Sequence, residues 1–413
     1  MKIAFVGINY TPEPTGISVY TTGMAEYCAR HGDSVTVYTG FPYYPLWSKF
    51  EKDRRKWYRC VRIDSVTVRR NYLYVPRQPT AASRILHELS FVICASINYL
   101  FGPRAEYTVI VSPPLFLALP IILIAKLKRS RTIFHIQDLQ PDAAVDLGML
   151  KRGWLTNFLY FIERQSYHAA DEVSTISDGM LKRIVEKGID RRKMFLLRNW
   201  ANDDQVAPLR KDTRFRQELG LRDRFIVLYS GNMGVKQGLH TLLDAARLLS
   251  DMPEIMVVIV GDGGEKRELQ RKAAELGVHN VTFLPVQPYH RLGELLATAD
   301  VSVIPQKSGV NDIVLPSKLN NIMASQRPVV VAAPVDSEFG RIVMESKGGL
   351  VVRPEDPAQL AQAILHLYHN SDLRTQMAIS GRQYMESCLA HQAILGAFRH
   401  RLIMALSPDQ PHA

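Results

Sequence analysis

The chain has 413 residues, more than one ordinary hydrophobic core accommodates, so two domains are expected. Its 46% hydrophobic and 22% charged residues are typical of a globular protein. The four cysteines lie too far apart for a CxxC pair or a short disulfide framework, which favours a reducing compartment, and the formal net charge of +11 favours an anionic partner.

The first 200 residues predict alternating strands and helices. The opening KIAFVGINY reads as an apolar strand rather than a secretory signal, and a helix follows that ends at Gly32. Further strands are predicted at SVTVYTG, VTVRRNY, YTVIVS, RTIFHIQD and EVSTIS. Short, nearly continuous apolar strands with helices between them are typical of a parallel sheet covered on both faces.

Residues 49–84 form a basic segment, which contains eleven Lys and Arg residues, three acidic residues and interleaved aromatic residues. Such a surface attracts anionic lipid, nucleic acid or a pyrophosphate, and a solvated face is the simpler alternative. No recognised nucleic-acid module appears, so no nucleic-acid partner is expected. We predict that Arg54, Arg55 and Lys56 contact a membrane surface or a lipid-linked anion.

Two apolar stretches follow the basic segment. Residues 85–103 predict a helix that either packs in the core or lays an apolar face in a membrane interface. Residues 109–125 contain three prolines and divide better into a strand and a buried helix. Neither stretch reaches the roughly 20 apolar residues of a membrane-spanning helix.

The strand–helix pattern restarts after a polar linker at residues 198–224. Strands are predicted at FIVLYS, IMVVIV, NVTFLP, VSVIPQ, PVVVAA and GGLVV, with helices between them. The sequence therefore predicts two doubly wound, Rossmann-like α/β domains at 1–200 and 201–385, with a helix over 386–413 that can cross back to the first domain. Ligands of such sheets bind at the carboxyl ends of the strands, here in the cleft between the domains.

Glycine-rich turns follow several of these strands. SGNMGVKQG places Gly234 and Lys236 where backbone N–H groups can approach an anion, although a purely structural loop is an alternative. VIVGDGG contributes Gly263 but does not complete GxGxxG, which argues against a nicotinamide site. In the first domain, Gly16 precedes a helix and would aim its N-terminus into the cleft, unless the loop is an ordinary connection.

The segment VLPSKLNNIMAS predicts a strand end, a proline and a short helix. Ser317 can cap the first helical N–H groups, and Lys318 adds charge where the helix dipole is already positive. This combination suits a phosphate. Asn321 lies on the same helix face, four residues after Ser317.

FHIQDLQPD ends a strand with Gln137 and Asp138. A carboxylate at that position can bind a hydroxyl group or handle a proton, whereas the neighbouring His135 reads more simply as a packed core residue. Asp203 and Asp204 could form a metal-binding pair but lie in the polar linker. HExxH, Cys/His metal spacing and a GxSxG elbow are all missing, so neither a protein-bound metal nor a serine hydrolase is expected.

Taken together, these segments resemble the GT-B glycosyltransferases of the large retaining family 4. The second half carries the resemblance best, through GNMGVKQGLHTLLDAA, the segment from VVIVGDGG to ADVSVIP, and LPSKLNNIMASQRPVVVAA. GINYTPEPTGISVY resembles the opening of the family. FHIQDLQPDA, YYPLW, YVPRQP, VSTIS and VLPSKL look closer still to the branch named for colanic acid assembly. The resemblance covers nearly the whole chain.

The chain departs from the wider family at its charged positions. Much of the family has two glutamates spaced E-x7-E, which align with Ile313 and Asn321 here. Its Arg and Lys in the first glycine turn align with Asn232 and Gln237, and its cleft histidine aligns with Gln137.

The resemblance implies that the phosphate is the diphosphate of a nucleotide sugar, such as a GDP- or UDP-hexose with fucose as one candidate. Asp138, Lys236 and Lys318 are the expected catalytic residues. The positions expected to bind the donor are Gly16, Asn232, Gly234, Gln237, Gly263, Val286, Ser317, Leu319 and Asn321. Gln137, Arg54, Arg55 and Lys56 are expected to contact the acceptor or the membrane.

The implied acceptor is a lipid-diphosphate-linked saccharide, so a cytoplasmic protein at the inner face of the membrane is expected, with no metal or other cofactor. Two alternatives remain open. A nucleotide-sugar epimerase on the same frame would form product without an acceptor. A non-catalytic nucleotide-binding scaffold would bind nucleotide without turnover.

Overall fold

The computed structural model describes residues 1–13, 16–44, 46–77, 80–146, 153–200, 206–308 and 317–405. The chain divides into two compact units, each with its own sheet. Unit 1 consists of Met1–Arg198 and Leu395–Ala413, and unit 2 of Asn199–Ile394.

Unit 1 is built on an eight-stranded sheet. Its strands are β1 (Lys2–Val6), β2 (Ser34–Gly40), β3 (Tyr58–Ile63), β4 (Val66–Asn71), β5 (Tyr107–Ser112), β6 (Arg131–Ile136), β7 (Glu172–Thr175) and β8 (Met194–Leu196). They lie in the order β3-β4-β2-β1-β5-β6-β7-β8, and all pairs are parallel except β3 with β4. Every residue of β5 is buried, as expected for a central strand covered on both faces.

Among the described residues of unit 1, six helices connect these strands. They are α1 (Ile17–Arg30), α2 (Ala81–Leu100), α3 (Ala118–Leu127), α4 (Gln140–Asp146), α5 (Trp154–Ala169) and α6 (Asp178–Glu186). The strand order runs from β4 through β5 and β6 to β7 in one direction across the sheet. Because parallel crossovers are right-handed, α2, α3 and α5 lie on the same face.

Unit 2 is built on a six-stranded, wholly parallel sheet. Its strands are β9 (Phe225–Ser230), β10 (Ile255–Val260), β11 (Val281–Leu284), β12 (Val301–Pro305), β13 (Val329–Ala332) and β14 (Gly349–Val352). The order β11-β10-β9-β12-β13-β14 reverses direction between β9 and β12, which is the topological switch point of a Rossmann-like sheet.

The helices of unit 2 cover both faces of this sheet. They are α7 (Arg214–Glu218), α8 (Leu239–Leu248), α9 (Lys266–Glu275), α10 (Leu292–Ala297), α11 (Ser317–Ala324), α12 (Glu338–Ser346), α13 (Pro357–His369) and α14 (Ser371–Tyr384). Val227 and Tyr229 pack in one core, whereas Ile226 and Leu228 pack in the other. The alternation along β9 gives the sheet two buried faces.

The last helix, α15 (His391–Met404), begins in unit 2 and continues in unit 1. Within unit 1, Arg399 Nε donates to Asp33 Oδ2 at 2.7 Å, and Arg401 Nε donates to Glu172 Oε2 at 2.6 Å. Its side chains Leu395, Phe398 and Leu402 are buried.

The predicted fold class, two doubly wound Rossmann-like α/β domains, is confirmed. Two predictions of detail were incomplete. The edge strand β3 lies in the basic segment and alternates exposed and half-buried residues, so it lacks the continuous apolar run of the other strands. The helix predicted to be buried, α3, exposes Leu123 and Leu127. None of the described helices is both long and apolar enough to cross a membrane.

Candidate active site

Several of the segments selected in the second half of the sequence lie at the carboxyl ends of the unit 2 strands, around the switch point. Gly231–Gly238 follows β9, Gly261–Gly264 follows β10, and Gln306 and Lys307 follow β12. α11 begins at Ser317 after residues 309–316, which lie outside the described residues. Loops at this edge of a doubly wound sheet form its ligand site.

The two glycine turns lie against each other, backbone to backbone. Gly231 N donates to Val260 O at 2.9 Å, and Met233 N donates to Asp262 O at 2.8 Å. A Cβ at Gly261 would lie 1.9 Å from Gly231 O, and φ there is +148°, so only glycine fits without displacing the first turn. Gly263 is equally constrained, because a Cβ there would lie 2.3 Å from Met233 O.

The first turn is braced by its own side chain. Gly234 N donates to Gln237 Oε1 at 3.1 Å, which closes the single helical turn Val235–Gln237 before α8. Lys236 is half-buried, and its carbonyl oxygen accepts from Lys307 N at 3.1 Å. The amide of Gln237 therefore holds the turn that was predicted to bind the donor.

Lys318 reaches into the first glycine turn from α11. Its Nζ donates to Tyr229 Oη at 2.9 Å and lies 4.6 Å from the centroid of that ring. A Cβ at Gly231 would lie 2.2 Å from this Nζ, so the glycine makes room for the ammonium group. Tyr229 Oη donates in turn to Asn232 O at 2.5 Å.

Electrostatics make Lys318 the distinctive group of the site. Burial alone lowers the pKa of Lys318 to about 8, and among the described residues no carboxylate forms an ion pair with it. Lys318 is half-buried, and a cation partly withdrawn from water without an acidic partner is costly unless an anion neutralises it. Burial also raises the pKa of Tyr229, so its hydroxyl stays protonated and keeps both hydrogen bonds.

Lys318 also borders a small pocket of about 80 Å³. Lys318 and Asn321 line it from α11, and Ser230 and Ser302 line it from the sheet. The structure thus brings Lys318 and Asn321 together, as their spacing predicts. Leu319 instead packs in the core, so only its backbone is available to a ligand.

The other donor positions lie at several places. Val286 is 66% exposed in the loop after β11, and Asn232 is exposed at the first glycine turn. The side chain of Ser317 is outside the described residues, as are Ile313, Asp203 and Asp204. Gly16 belongs to unit 1, where it precedes α1 with φ +62°.

At the carboxyl ends of the unit 1 strands, Asp138 is half-buried and Gln137 is buried. Gln137 Nε2 donates to His135 Nε2 at 2.8 Å, and His135 Nδ1 hydrogen-bonds to Ser174 Oγ at 2.9 Å. Burial lowers the pKa of His135 to about 3, so this ring is neutral and fully engaged in the core. Arg54, Arg55 and Lys56 are exposed.

Sequence reasoning missed Tyr229 and a buried carboxylate of unit 1. Glu13 Oε1 accepts from Tyr43 N at 3.0 Å and from Tyr44 N at 2.9 Å, and its Oε2 accepts from Asn9 Nδ2 at 2.9 Å. Glu13 thereby joins the loops after β1 and β2. Glu13 lies between two prolines, which restrict the backbone, and this was the sequence signal that could have marked it as part of a fixed turn.

His240, Glu265 and Glu268 bring three potential metal ligands within 4.8 Å of one another. His240 Nε2 lies 4.0 Å from a carboxylate oxygen of Glu265 and 3.8 Å from one of Glu268. The absence of a metal cofactor stays a prediction.

Two family models account for most of the chain. Residues 211–384 match the model described as glycosyl transferases group 1, and residues 15–200 match the glycosyl transferase 4-like domain. The chain is 37% identical over 412 residues to the putative colanic acid biosynthesis glycosyl transferase WcaI of Escherichia coli K12, which covers 96% of this chain and 98% of that protein. This chain is a family 4 glycosyltransferase.

Solved structures show the same GT-B fold. A sucrose-phosphate synthase from Thermosynechococcus elongatus superposes with a TM-score of 0.77 at 17% identity, covering 98% of this glycosyltransferase and 100% of that chain. Anabaena Alr3699/HepE in complex with UDP-glucose gives a TM-score of 0.72 at 15% identity, covering 98% and 100% of the two chains. At these identities the likeness concerns the fold.

Proposed function

We propose that this glycosyltransferase moves a hexosyl group from a nucleotide-diphosphate sugar to a lipid-linked saccharide during assembly of a colanic-acid-type exopolysaccharide. The observation that carries the donor proposal is Lys318, a half-buried ammonium group that has no acidic partner among the described residues and lies at a glycine turn. A diphosphate supplies the missing negative charge. The similarity to WcaI over the full chain supports the polysaccharide, and the complex of Alr3699/HepE supports a nucleotide sugar.

In this proposal the diphosphate binds at the carboxyl ends of β9 and β12. The backbone N–H groups of the first glycine turn and of the first turn of α11 donate to it. Lys318 neutralises it directly, and Lys236 adds a second positive charge. Asn321, which lines the same pocket as Lys318, bonds a ribose hydroxyl in place of the carboxylate of the wider family.

The main catalytic effect is charge stabilisation as the glycosidic bond to the diphosphate breaks. The pKa of Lys318 near 8 keeps its ammonium mostly protonated at neutral pH, and a bound diphosphate would raise that pKa. Preorganised donors aimed at developing charge commonly contribute about 3 kcal/mol each. Transfer proceeds with retention, as in the family, and Asp138 of unit 1 contacts the acceptor or the transferred sugar.

The acceptor places the enzyme at the inner face of the cytoplasmic membrane. Arg54, Arg55 and Lys56 are exposed on unit 1, where they can meet anionic headgroups or the diphosphate of the acceptor. Neither a metal nor another cofactor takes part. Two donors fit this proposal: a GDP-sugar, such as GDP-fucose, or a UDP-sugar.

The test is thermal unfolding of the purified protein with GDP, UDP and ADP in turn. A ligand at a hundred times its dissociation constant stabilises the fold by about 2.7 kcal/mol, which is readily measured. A shift with GDP alone supports a fucose or mannose donor, and a shift with UDP alone supports a glucose- or galactose-type donor. No shift with any of the three contradicts the proposed donor site. Product formed from the donor alone would favour an epimerase instead.

A further inference from the structure

One face of unit 1 combines a large exposed apolar area with positive charge. It consists of the outward sides of α2, α3 and α5, and we call it the apolar helix face. Among the described residues of α2, every exposed side chain after Arg84 is apolar. These side chains are Ile85, Leu86, Leu89, Ile93, Ile97 and Leu100, and Phe101 follows directly after the helix. Their spacing of three and four residues places them along one side of α2.

The two neighbouring helices extend this row. α3 packs between α2 and α5, and it exposes Leu123 by 58% and Leu127 by 79%. α5 exposes Trp154 by 81%, together with Phe158 and Phe161. Because the three helices cover the same side of the sheet, these side chains all project away from it.

Such a face is unusual for a soluble domain. The described helices of unit 2 expose large apolar side chains singly, at Leu248, Met344 and Ile379. Contiguous exposed apolar areas mark surfaces that bind a partner or a membrane.

The charges on the apolar helix face have one sign. Its exposed charged residues are Arg84, Lys126 and Arg164. The two acids of the same helices point inward: Glu163 accepts from Lys187 Nζ at 2.6 Å, and Glu88 accepts from Gln140 Nε2 at 3.3 Å. The face therefore offers only cations to whatever covers it.

We propose that the apolar helix face inserts into the interfacial layer of an anionic membrane. α2 has 20 residues and spans about 30 Å, so it lies in the plane of the interface with its apolar side down. Arg84, Lys126 and Arg164 bind the headgroups. The inference deepens the proposed function and rests on it, because a lipid-linked acceptor is presented in that layer.

A second copy of this chain fits the face less well. A symmetric dimer would bring the same cationic patch of each protomer to the interface, in a chain whose net charge is already +11. Anionic lipid instead complements both the apolar area and the charge.

The test measures flotation of the full chain with vesicles of phosphatidylglycerol and phosphatidylethanolamine, and with vesicles of phosphatidylcholine. The variant Ile93→Ser with Ile97→Ser removes the centre of the row on α2. The matched control, Met344→Ser with Ile379→Ser, removes similarly exposed side chains from unit 2. We expect at least tenfold weaker binding to anionic vesicles for the α2 variant, and a change of less than twofold for the control.

Unchanged vesicle binding of the α2 variant overturns the proposal. The proposal is also overturned if the wild type does not bind vesicles and light scattering shows that it is a dimer, whereas the α2 variant is a monomer. If the α2 variant fails to fold, Trp154→Ser with Phe158→Ser is subjected to the same measurement and the same criteria. Transfer to a detergent-dispersed acceptor is measured separately and should equal wild type in the α2 variant. Lack of transfer by the wild type counts against the proposed function and leaves the vesicle result intact.

Discussion

Replacing Lys318 by methionine should separate function from stability. The change keeps the length and apolar stem of the side chain but removes the ammonium group. If that group is kept for the diphosphate, the variant should be less active and yet more stable. A lysine with a structural role would instead leave a destabilised protein when it is replaced.

The expected gain in stability and the expected loss of turnover follow from the contacts of Lys318. Burial lowers its pKa from 10.5 to about 8, and at about 1.36 kcal/mol per unit this bounds the cost of burying the charge near 3 kcal/mol. Partial exposure and the lost hydrogen bond to Tyr229 Oη reduce the expected gain to about 1–2 kcal/mol. A gain of this size raises Tm by roughly 2–8 °C in a unit of this size. Loss of one transition-state donor should lower kcat about a hundredfold.

The depressed pKa of Lys318 also fixes how the free energy of unfolding changes with pH. Between pH 8 and 10.5 the unfolded chain holds the Lys318 proton and the folded chain has lost it, so the stability of the wild type rises with pH. The stability advantage of the methionine variant should therefore be largest below pH 8 and shrink as the pH approaches 10.5.

Urea unfolding measures the free energy of unfolding, and initial rates measure kcat. Lys272→Met is the control, because Lys272 Nζ donates to Asp244 Oδ2 at 2.8 Å on the α9 side of the same unit. It should leave kcat unchanged and give no gain in stability. Near-wild-type turnover of Lys318→Met, or a less stable protein, would refute the catalytic assignment.

Three further predictions concern other parts of the molecule. Tyr229→Phe removes the acceptor of the Lys318 ammonium, so the pKa of Lys318 should fall below about 8 and the alkaline limb of kcat/KM should move to lower pH; a limb that stays in place contradicts the positioning role. Gly261→Ala should destabilise the protein by about 3 kcal/mol in urea unfolding, because its Cβ would meet Gly231 O. Gly264→Ala, with no heavy atom within 4 Å of the added Cβ, should change stability by less than about 0.5 kcal/mol, and equal effects would exclude the steric explanation. Replacing Arg54, Arg55 and Lys56 by serine should weaken binding to anionic vesicles up to about a hundredfold at low salt, at roughly 1 kcal/mol for each residue; unchanged binding would remove the basic segment from the membrane contact.

The architecture of both units was accessible from the sequence because its signals are local. Apolar strands such as YTVIVS and glycine turns such as SGNMGVKQG repeat the pattern of a parallel sheet within a few residues. The same applies to Lys318 and Asn321, whose spacing places them on one side of α11.

The missed features depend on contacts between distant residues. Tyr229 reads as one more buried strand residue until Lys318, 89 positions later, is placed at its hydroxyl. Glu13 receives the backbone of a loop about 30 residues away. The exposure of Leu123 and Leu127 on an otherwise apolar helix depends on which neighbours cover it, and composition carries no such information.

Asp33 links the first residue of β1's lead-in, Met1, to α15. Its carboxylate accepts from the Met1 ammonium group at 2.8 Å and from Arg399 Nε at 2.7 Å, and its side chain is 1% exposed. Unit 1 is therefore built from segments on both sides of unit 2, and its Arg399–Asp33 ion pair forms only after α15 has been synthesised. Although residues 1–198 emerge first, unit 1 cannot complete its contacts before all of unit 2 has been synthesised. A fusion at the amino terminus, which converts the ammonium group into an amide, would leave Arg399 as the one cation of this pair of contacts.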